Sequence, residues 1–495
     1  MQGNSRLFFF VLTILSFVMM TLEPYHHHGA VHASSISIPN NRNKVIAGTP
    51  KHSYQVGEQE YWFYQRIDHF NALNTDTFPQ RFYKYVPPGV SPESPNHILY
   101  ICPEGTCGGT PNNYVRNYAQ ELKATIYTLE HRFYGVSVPY GSMKTENLAK
   151  YLSTEAALAD LSVFIEYIST LPTYNNQTHQ FIIVGCSYPG ALSSFFSMKY
   201  PHLIKGALSS SGVVNSILDF YTFDLHVQHA AGPECANNLI RVTSIMEKMN
   251  PNDILKDFQA PADMDIRDLF LLFADIGAES IQYGYHEELC NALKSGDISR
   301  DDVLYSNFNK YALKFFYPVF GTTPLDYYNR AIGNETYDAK MGANADRSWW
   351  FQTCSELAYF QTAPPMPLPS IRTRRLDLAY FYDKCNKIFG YNIKPNTQFV
   401  NNQYGAKKLL DTTLGRTVFA NGSQDPWLKA SVDIDPRKFS FVAECENCGH
   451  CNDLRGCPSL PSDSGASDHC LGTGNEQVKM IRAQTLAIMK IWFGM

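Results

Sequence analysis

The chain has 495 residues, of which 44% are hydrophobic and 18% charged, so it is long enough for one large domain with an insertion or for two domains. Its formal net charge of -5 and its lack of a long basic run argue against a nucleic-acid partner, which would require a basic face. The densest basic cluster, Arg372 to Arg375, is predicted to be a solvated loop.

The N-terminus is typical of a secretory signal peptide. Arg6 precedes an apolar segment, Leu7 to Leu22, that is short for a membrane span and has the length of a signal-peptide core. Residues 1–33 are predicted to be removed by cleavage before Ser34, and an earlier cleavage position or a retained signal anchor are the alternatives. Because no later segment is long and apolar enough to cross a bilayer, the mature chain is expected to be free of the membrane.

The cysteines and sequons agree with a secretory route. The chain has 12 cysteines, and in an oxidising compartment an even number is expected to pair, although the sequence does not give the pairing. Asn176 and Asn334 lie in sequons and are predicted glycosylation sites. Asn421 also lies in a sequon, but it is close to a predicted catalytic residue and is expected to carry no sugar.

Strand-like and helix-like stretches alternate in the first part of the chain. A helix is predicted over Ser153 to Leu171, where apolar residues recur at helical spacing before Pro172. This alternation predicts the α/β class, with a largely parallel sheet covered on both faces. The predicted strands lie within His97–Gly105, Thr125–Gly135, Phe181–Gly185 and Lys205–Val214.

The pattern changes after Val214. Amphipathic helices then follow one another without a strand to about Gly342, and strands are predicted again within 416–422 and 438–445. The prediction is therefore one α/β domain, formed by residues 46–213 and 343–495, that is interrupted by a helical insertion over residues 214–342.

The sequence GCSYPG, Gly185 to Gly190, has the outline of a strand-to-helix turn that exposes a nucleophilic serine. Small residues are needed where the strand and helix come close, and the turn would present the Ser187 hydroxyl at the C-terminal edge of the sheet. The N–H of Tyr188 would then be placed to donate to an oxyanion. A serine in a tight glycine turn is also found as a structural residue, so the motif alone does not decide.

Two downstream residues complete the pattern. Asp425 follows one predicted strand and His450 follows the next, which is the chain order Ser, Asp, His of α/β-hydrolase triads. Taken separately, Asp425 has the alternative role of an Asp-Pro turn residue, and His450 that of a loop residue held by neighbouring cysteines. The three residues in the required order predict a catalytic triad.

At this point the sequence resembles a family of serine peptidases that includes lysosomal Pro-X carboxypeptidase, dipeptidyl peptidase II and thymus-specific serine protease, and it is most similar to the thymus-specific branch. The motifs cover most of the mature chain: PEG (103–105), EHRFYGVSVPYG (130–141), LSTEAALADL (152–161), GCSYPGALS (185–193), MKYPHLIKGALSSS (198–211), WFQTCSELAYFQT (350–362), NGSQDPW (421–427) and GHCNDL (449–454).

The resemblance implies an α/β-hydrolase fold with a helical cap domain inserted after the serine. It also implies the triad Ser187, Asp425 and His450, and hydrolysis of short peptides on the carboxyl side of proline, often at acidic pH. No cofactor or metal is expected for this chemistry. The inserted cap is expected to narrow access to the site and so to favour exopeptidase action on short peptides.

Further site residues are predicted around this triad. The oxyanion donors are expected to be the N–H groups of Tyr188 and Gly105. Glu104 is a candidate for binding the N-terminal amine of a substrate, with stabilisation of its own loop as the alternative. Trp350 and Trp427 are candidate walls of a proline pocket, although such aromatic residues more often belong to a core.

Other interpretations stay open. The spacing of Cys445, Cys448, His450, Cys451 and Cys457 would suit a zinc ribbon, but the signal peptide favours disulfides, and zinc on His450 would remove the predicted base. A secreted esterase or lipase of the same fold and an inactive hydrolase-like binding module are alternative functions. The sequence does not decide which peptide terminus is trimmed, the extracellular or lysosome-like compartment, or the oligomeric state, a homodimer included.

Overall fold

The computed structural model describes residues 46–47, 58–390, 393–455 and 475–495. The predicted signal peptide and its cleavage site lie outside the described residues. In these four ranges, no helix combines the length and the apolar character that a membrane span requires.

A mixed sheet of nine strands forms the centre of the described chain. Its order is β1-β2-β3-β5-β4-β6-β7-β8-β9. The pairs β1–β2, β2–β3 and β3–β5 are antiparallel, and the remaining pairs are parallel. The strands are β1 (Ile46–Ala47), β2 (Glu58–Arg66), β3 (Thr77–Tyr85), β4 (Asn96–Ile101), β5 (Thr125–Leu129), β6 (Gln180–Cys186), β7 (Gly206–Ser210), β8 (Thr417–Gly422) and β9 (Ser440–Ala443).

The predicted strands correspond to β4 through β9. Their continuous apolar runs suit central parallel strands, which are covered on both faces, and every residue of β5, β7 and β8 is buried. β2 and β3 were not predicted, because polar residues interrupt their pattern. Two of these residues, Gln65 and Gln80, are buried and satisfy each other through a hydrogen bond of 3.2 Å.

The helices surround this sheet. The α-helices of the described residues are α1 (Val115–Glu121), α2 (Thr145–Tyr151), α3 (Thr154–Ile168), α4 (Tyr188–Lys199), α5 (Thr222–Met246), α6 (Pro251–Asp257), α7 (Ile266–Gln282), α8 (His286–Ala292), α9 (Asp301–Tyr311), α10 (Tyr317–Phe320), α11 (Asn329–Ile332), α12 (Ala345–Gln352), α13 (Leu378–Phe389), α14 (Thr397–Tyr404), α15 (Leu409–Thr412) and α16 (Glu476–Trp492). Single π-helical turns lie at Ala312–Phe316 and Thr353–Leu357, and 3-10 turns at Pro139–Gly141, Tyr174–Asn176, Pro324–Tyr327, Ala406–Lys408, Pro426–Ala430 and Pro436–Lys438.

The predicted helix over Ser153 to Leu171 is α3. It begins where the Ser153 hydroxyl accepts a hydrogen bond of 3.1 Å from the Ala156 N–H, which satisfies one free donor of the first turn. Its apolar side chains are buried, among them Leu158, Leu161 and Phe164, and the helix ends before Pro172. Both the cap and the spacing were visible in the sequence.

The strand order identifies the fold. Counted from β2, only the second strand, β3, runs against the others, and β4 and β5 exchange places in the sheet. This is the topology of the α/β-hydrolase fold, in which the loops at the C-terminal ends of the parallel strands carry the reacting groups. The predicted fold class is thus confirmed.

A long helical stretch separates β7 from β8. It runs from α5 to α15, and the described residues contain no sheet strand in it. The predicted boundary at 342/343 falls just before α12, and α12 contacts the loop after β5: Ser348 Oγ donates to Phe133 O at 2.8 Å, and Tyr134 OH donates to Gln352 Oε1 at 2.6 Å. The domain limits themselves stay predictions.

The prediction of a solvated loop for Arg372 to Arg375 is wrong at its first two residues, because both Arg372 and Thr373 are buried. Arg372 is fully buried, and its guanidinium donates to Asp224 Oδ2 at 2.9 Å and to Asp275 Oδ1 at 3.2 Å. These two carboxylates come from α5 and α7 and need a counter-charge in the interior. Because the partners are far apart in the chain, the local run of charges gave no sign of them.

Candidate active site

Ser187 lies in the tight turn between β6 and α4. Its backbone has φ of 70° and ψ of -128°, a region that non-glycine residues rarely occupy. The turn is held because Ser187 N–H donates to Ser210 O of β7 at 2.9 Å. Strained backbone at this point presents the serine side chain at the C-terminal edge of the sheet, as the sequence predicted.

Two glycines make this turn possible. A Cβ atom on Gly185 would lie 2.0 Å from Pro189 O, and one on Gly190 would lie 2.7 Å from Ser210 O. No side chain fits at either position, so the strand and helix pack directly on each other's backbone. Pro189 is tolerated because it occupies the first turn of α4, where a backbone N–H would have no helical partner.

Asp425 and His450 are joined by a hydrogen bond. His450 Nδ1 donates to Asp425 Oδ2 at 2.8 Å, and both side chains are 0% exposed. The other carboxylate oxygen of Asp425 accepts from Trp427 N–H at 3.0 Å and so caps the short helix at Pro426–Ala430. Asp425 therefore has both roles considered in the sequence, as a turn residue and as the partner of His450.

Ser187 and His450 belong to one centre. Cys186 and Cys451, the residues directly before Ser187 and after His450, form a disulfide, and a ring nitrogen of His450 lies within 4.8 Å of both sulfur atoms. Ser187 is 2% exposed, and in the described part of the chain neither Ser187 Oγ nor His450 Nε2 has a hydrogen-bond partner. Both atoms are thus available for hydrogen bonding within a buried site.

The loop after β4 faces the start of α4. It is closed by a disulfide between Cys102 and Cys107, so the residues between them are held in a tight loop. Gly105 N–H, one predicted oxyanion donor, donates within the loop to Pro103 O at 2.8 Å. The other predicted donor belongs to Tyr188 at the first position of α4, where a backbone N–H has no helical acceptor.

Glu104 is buried in the same loop, with 6% of its surface exposed. Burial raises the pKa of its carboxyl group to about 8, and the N–H groups of Glu104 and Tyr188 oppose this shift. Across the described residues, neither carboxylate oxygen meets the geometry of a hydrogen bond. The Tyr188 N–H is therefore close enough to stabilise the ionised carboxyl, although no formed bond holds it.

Trp427 lies next to His450 and packs against two further aromatic side chains. The Trp427 ring lies 6.4 Å from the His450 ring, 5.6 Å from Tyr359 and 5.6 Å from Phe220, measured between ring centres. Trp427 thus lies next to His450, and its role as a wall of a proline pocket stays a prediction. Trp350 packs instead against Phe381 and under Lys384, and its neighbour Trp349 contacts Tyr188 at 5.8 Å.

Comparison with known proteins now places the chain in a family. The profile of the serine carboxypeptidase S28 family matches residues 65–466. The chain belongs to this family. It is a serine peptidase, and the family resemblance drawn from the motifs is confirmed.

Several relatives of this S28 peptidase cover nearly its full length. The probable serine protease EDA2 of Arabidopsis thaliana is 32% identical over 477 residues, which cover 94% of this chain and 93% of the plant protein. The lysosomal Pro-X carboxypeptidase of Homo sapiens is 25% identical over 464 residues, covering 85% and 87%. The thymus-specific serine protease of Mus musculus is 27% identical over 442 residues, covering 81% and 83%.

Solved structures are more distant from the S28 peptidase. The proline iminopeptidase of Mycobacterium smegmatis covers 84% of this chain and 96% of its own, with 12% identity and a TM-score of 0.32.

The helical segment of the S28 peptidase contributes Gln282, which the sequence did not single out. This last residue of α7 accepts hydrogen bonds at its backbone oxygen from His450 N–H at 2.9 Å and from Arg455 at 3.2 Å. Its side-chain Oε1 accepts from the Trp427 indole at 3.1 Å. One residue therefore contacts both loops that carry Asp425 and His450. A glutamine at a helix end gives no sequence signal for such a role.

Tyr359 is a second residue that the sequence analysis missed. It follows the π-helical turn at Thr353–Leu357, and both it and Ala358 have positive φ, 54° and 58°. Its hydroxyl donates to Val213 O, and its ring faces Trp427. The only available signal was its place in the WFQTCSELAYFQT motif.

The cysteines near His450 are paired with one another or with β6. Cys445 bonds to Cys448 and Cys451 bonds to Cys186, so none of these sulfurs is a free thiolate ligand. This pairing removes the donors on which the zinc-ribbon interpretation depended. Cys457, the remaining member of that pattern, lies outside the described residues.

Proposed function

We propose that this S28 peptidase is a serine exopeptidase that hydrolyses short peptides after proline, with Ser187 as nucleophile, His450 as base and Asp425 as its orienting acid. The observation that carries the proposal is the 2.8 Å bond between His450 Nδ1 and Asp425 Oδ2. With its hydrogen on Nδ1, the imidazole keeps a lone pair on Nε2 that accepts the serine proton.

The reaction follows from these roles. Ser187 Oγ attacks the carbonyl carbon while His450 Nε2 takes its proton, and the imidazolium then protonates the leaving amine. Water releases the acyl group in a second step that uses the same base. The Tyr188 N–H supports the oxyanion, and Gly105 would join it only after its bond to Pro103 O opens.

Selectivity for proline is supported by the aromatic cluster and by the relatives. A prolyl ring has no N–H to satisfy and fits an apolar pocket, which Trp427, Tyr359 and Phe220 would provide beside His450. The human and mouse relatives named Pro-X carboxypeptidase agree with this choice. Trp350 would act only indirectly, because it packs against Phe381.

Exopeptidase action is supported by the enclosure of the site. Ser187 is almost fully buried, and α7 of the helical segment reaches the catalytic loops through Gln282. Such a covering would exclude folded proteins and admit short, flexible peptides. Rapid cleavage of a folded protein at internal prolines would contradict this part of the proposal.

A secretory route belongs to the same proposal. It is supported by the predicted signal peptide and by the five disulfides of the described residues. Asn176 and Asn334 are exposed and would carry the glycans, whereas Asn421 is buried in β8. A lysosome-like vesicle and the cell exterior both satisfy these observations.

The test is a mass-spectrometric digest of two peptides with one internal proline. One peptide is blocked at its N-terminus and the other at its C-terminus, and Ser187→Ala serves as the blank. Release of the residues after proline from the N-blocked peptide alone identifies a carboxypeptidase, and loss of an X-Pro dipeptide from the C-blocked peptide alone identifies a dipeptidyl peptidase. Hydrolysis of a simple ester without cleavage of either peptide would overturn the proposal.

A further inference from the structure

A buried carboxyl group lies near the candidate oxyanion donor, the Tyr188 N–H. The carboxyl group of Glu104 is buried, and the Tyr188 N–H is close enough to lower its pKa. Neither of its oxygens has a hydrogen-bond partner within the described ranges. A buried polar group without a partner destabilises the free protein, so its presence near the start of α4, directly after Ser187, calls for a role when substrate is bound.

The second donor predicted from the sequence, Gly105 N–H, is already engaged. Oxyanion holes of this fold use two N–H groups, one after the nucleophile and one from the loop after an earlier strand. Here Gly105 N–H already donates to Pro103 O at 2.8 Å, in a loop closed by the disulfide of Cys102 and Cys107. The same loop holds the buried carboxyl group of Glu104 near the Tyr188 N–H, so this group is an alternative source of the second hydrogen bond.

The surroundings of Glu104 favour its neutral form. The titratable groups that interact with it are four tyrosines: Tyr100 of β4, Tyr134 after β5, Tyr188 of α4 and Tyr359 after the π-helical turn. Burial raises the pKa of each hydroxyl above its usual value, so all four stay uncharged up to alkaline pH. Among the described residues, no cationic side chain lowers the pKa of Glu104.

We propose that Glu104, as a neutral carboxylic acid, donates the second hydrogen bond to the oxyanion formed at Ser187. The inference is built on the proposed function, because it requires acyl transfer to that serine. The proton stays on Glu104 throughout, and the tetrahedral oxygen gains a donor that complements the Tyr188 N–H. An ionised Glu104 would instead repel the oxyanion and compete for that N–H.

If Glu104 donates this hydrogen bond, kcat/KM should fall at alkaline pH. The carboxyl group is protonated below its pKa of about 8, so the donor is present there and is lost as the pH rises through that value. The value of kcat/KM should fall about tenfold for each pH unit above this point, since one proton is lost.

The test uses Glu104→Gln, which keeps a donor of similar shape but cannot ionise. Its kcat/KM is measured from about pH 5 to about pH 9.5 on an N-blocked ester and on both peptides described above. We expect the alkaline decline to disappear and activity below pH 7 to stay within about tenfold of the parent. Glu104→Leu, which removes the donor, should lose about 100-fold to 1000-fold at every pH.

Glu356→Gln is the matched control. Glu356 is also a buried carboxyl group with a raised pKa, but it accepts hydrogen bonds of 3.0 Å from Thr154 N–H and Oγ1. The alkaline decline should persist in this variant, and near-ultraviolet circular dichroism checks that each variant is folded.

Three other results would contradict the inference or the proposed function. If Glu104→Gln keeps the alkaline decline of the parent, the inference is wrong. It is also wrong if Glu104→Gln raises KM only for the peptide with a free N-terminus, because Glu104 then binds the substrate amine. If Ser187→Ala retains the parent activity, the proposed function fails first, whatever Glu104 does.

Discussion

Cys186 and Cys451 form a disulfide that ties the residue before Ser187 to the residue after His450, across a sequence separation of 265. The loop that carries His450 is held by a second contact as well, because Cys451 N–H donates to Ser211 Oγ at 2.8 Å. The relative position of Ser187 and His450 is thus fixed by a covalent bond as well as by the packing of β6 and the histidine loop.

Removing this disulfide should reduce activity more than stability alone explains. We expect the double variant Cys186→Ser with Cys451→Ser to lose about 2–5 kcal/mol of unfolding free energy. Its kcat/KM should fall about 100-fold, since a shift of about 1 Å between reacting groups is enough for such a loss. Stability is measured by urea unfolding, and activity well below the unfolding temperature.

The matched control removes the disulfide between Cys235 and Cys290, which joins α5 to α8 within the helical segment. This variant should lose comparable stability but keep most of its kcat/KM. Equal losses of activity in the two variants would show that the active-site disulfide has no positioning role.

Replacing Asp425 with asparagine should separate its two roles. Asparagine Oδ1 can still cap Pro426–Ala430, but the carboxylate that orients His450 is lost. We expect kcat to fall about 10,000-fold with KM nearly unchanged. Steady-state kinetics and thermal unfolding of the folded variant check this prediction.

Asp435 provides the control, because it also precedes a proline and caps a short helix, at Pro436–Lys438. Asp435→Asn is expected to leave kcat within about twofold of the parent, as for an ordinary surface substitution. A similar loss in both variants would mean that helix capping, and not the bond to His450, explains the effect.

The contact between Gln282 and Trp427 should couple the helical segment to the loops that carry Asp425 and His450. Gln282→Met keeps the side-chain volume but leaves the buried Trp427 indole N–H without its acceptor, which should cost about 1–3 kcal/mol. Trp427→Phe removes the donor itself. In a double-mutant cycle measured by urea unfolding, the two changes should be coupled by about 1–2 kcal/mol. Additive effects would contradict the coupling.

The buried cluster of Arg372, Asp224 and Asp275 should make stability depend on pH. Two carboxylates share one guanidinium, and burial raises the pKa of Asp275 to about 7, whereas an unfolded aspartate titrates near 3.9. The folded chain therefore holds a proton that the unfolded chain releases. The bound proton therefore stabilises the folded chain. Its contribution to the free energy of unfolding is complete at acid pH and is lost as the pH rises from about 4 to about 7.

Residue 275 cannot ionise in Asp275→Asn. The free energy of unfolding of this variant should therefore rise by about 2–4 kcal/mol relative to the parent as the pH rises across that window. Urea unfolding at several pH values measures the difference. Asp302→Asn, at an exposed site paired with Arg300, should show no such trend. A difference that stays constant with pH for Asp275→Asn would contradict the prediction.

Much of the fold was readable from local pattern. The central strands β4 to β9 are continuous apolar runs, and α3 has both its cap and its apolar spacing in sequence. β2 and β3 were missed because buried glutamines, Gln65 and Gln80, look like surface residues until they are paired. Arg372 was misjudged for the same reason, since its partners lie on distant helices.

By itself, the sequence determined the elbow and the order of the three candidate catalytic residues. Glycines at 185 and 190 are required wherever a strand and a helix meet without room for a Cβ atom, and this requirement is local. Only the tertiary structure decided that Gly105 N–H is already engaged, that Gln282 contacts the histidine loop, and that the Glu104 carboxyl has no hydrogen-bond partner among the described residues. Each of these depends on which distant groups meet in the folded chain, because hydrogen-bond partners and burial are set by packing and not by neighbours in sequence.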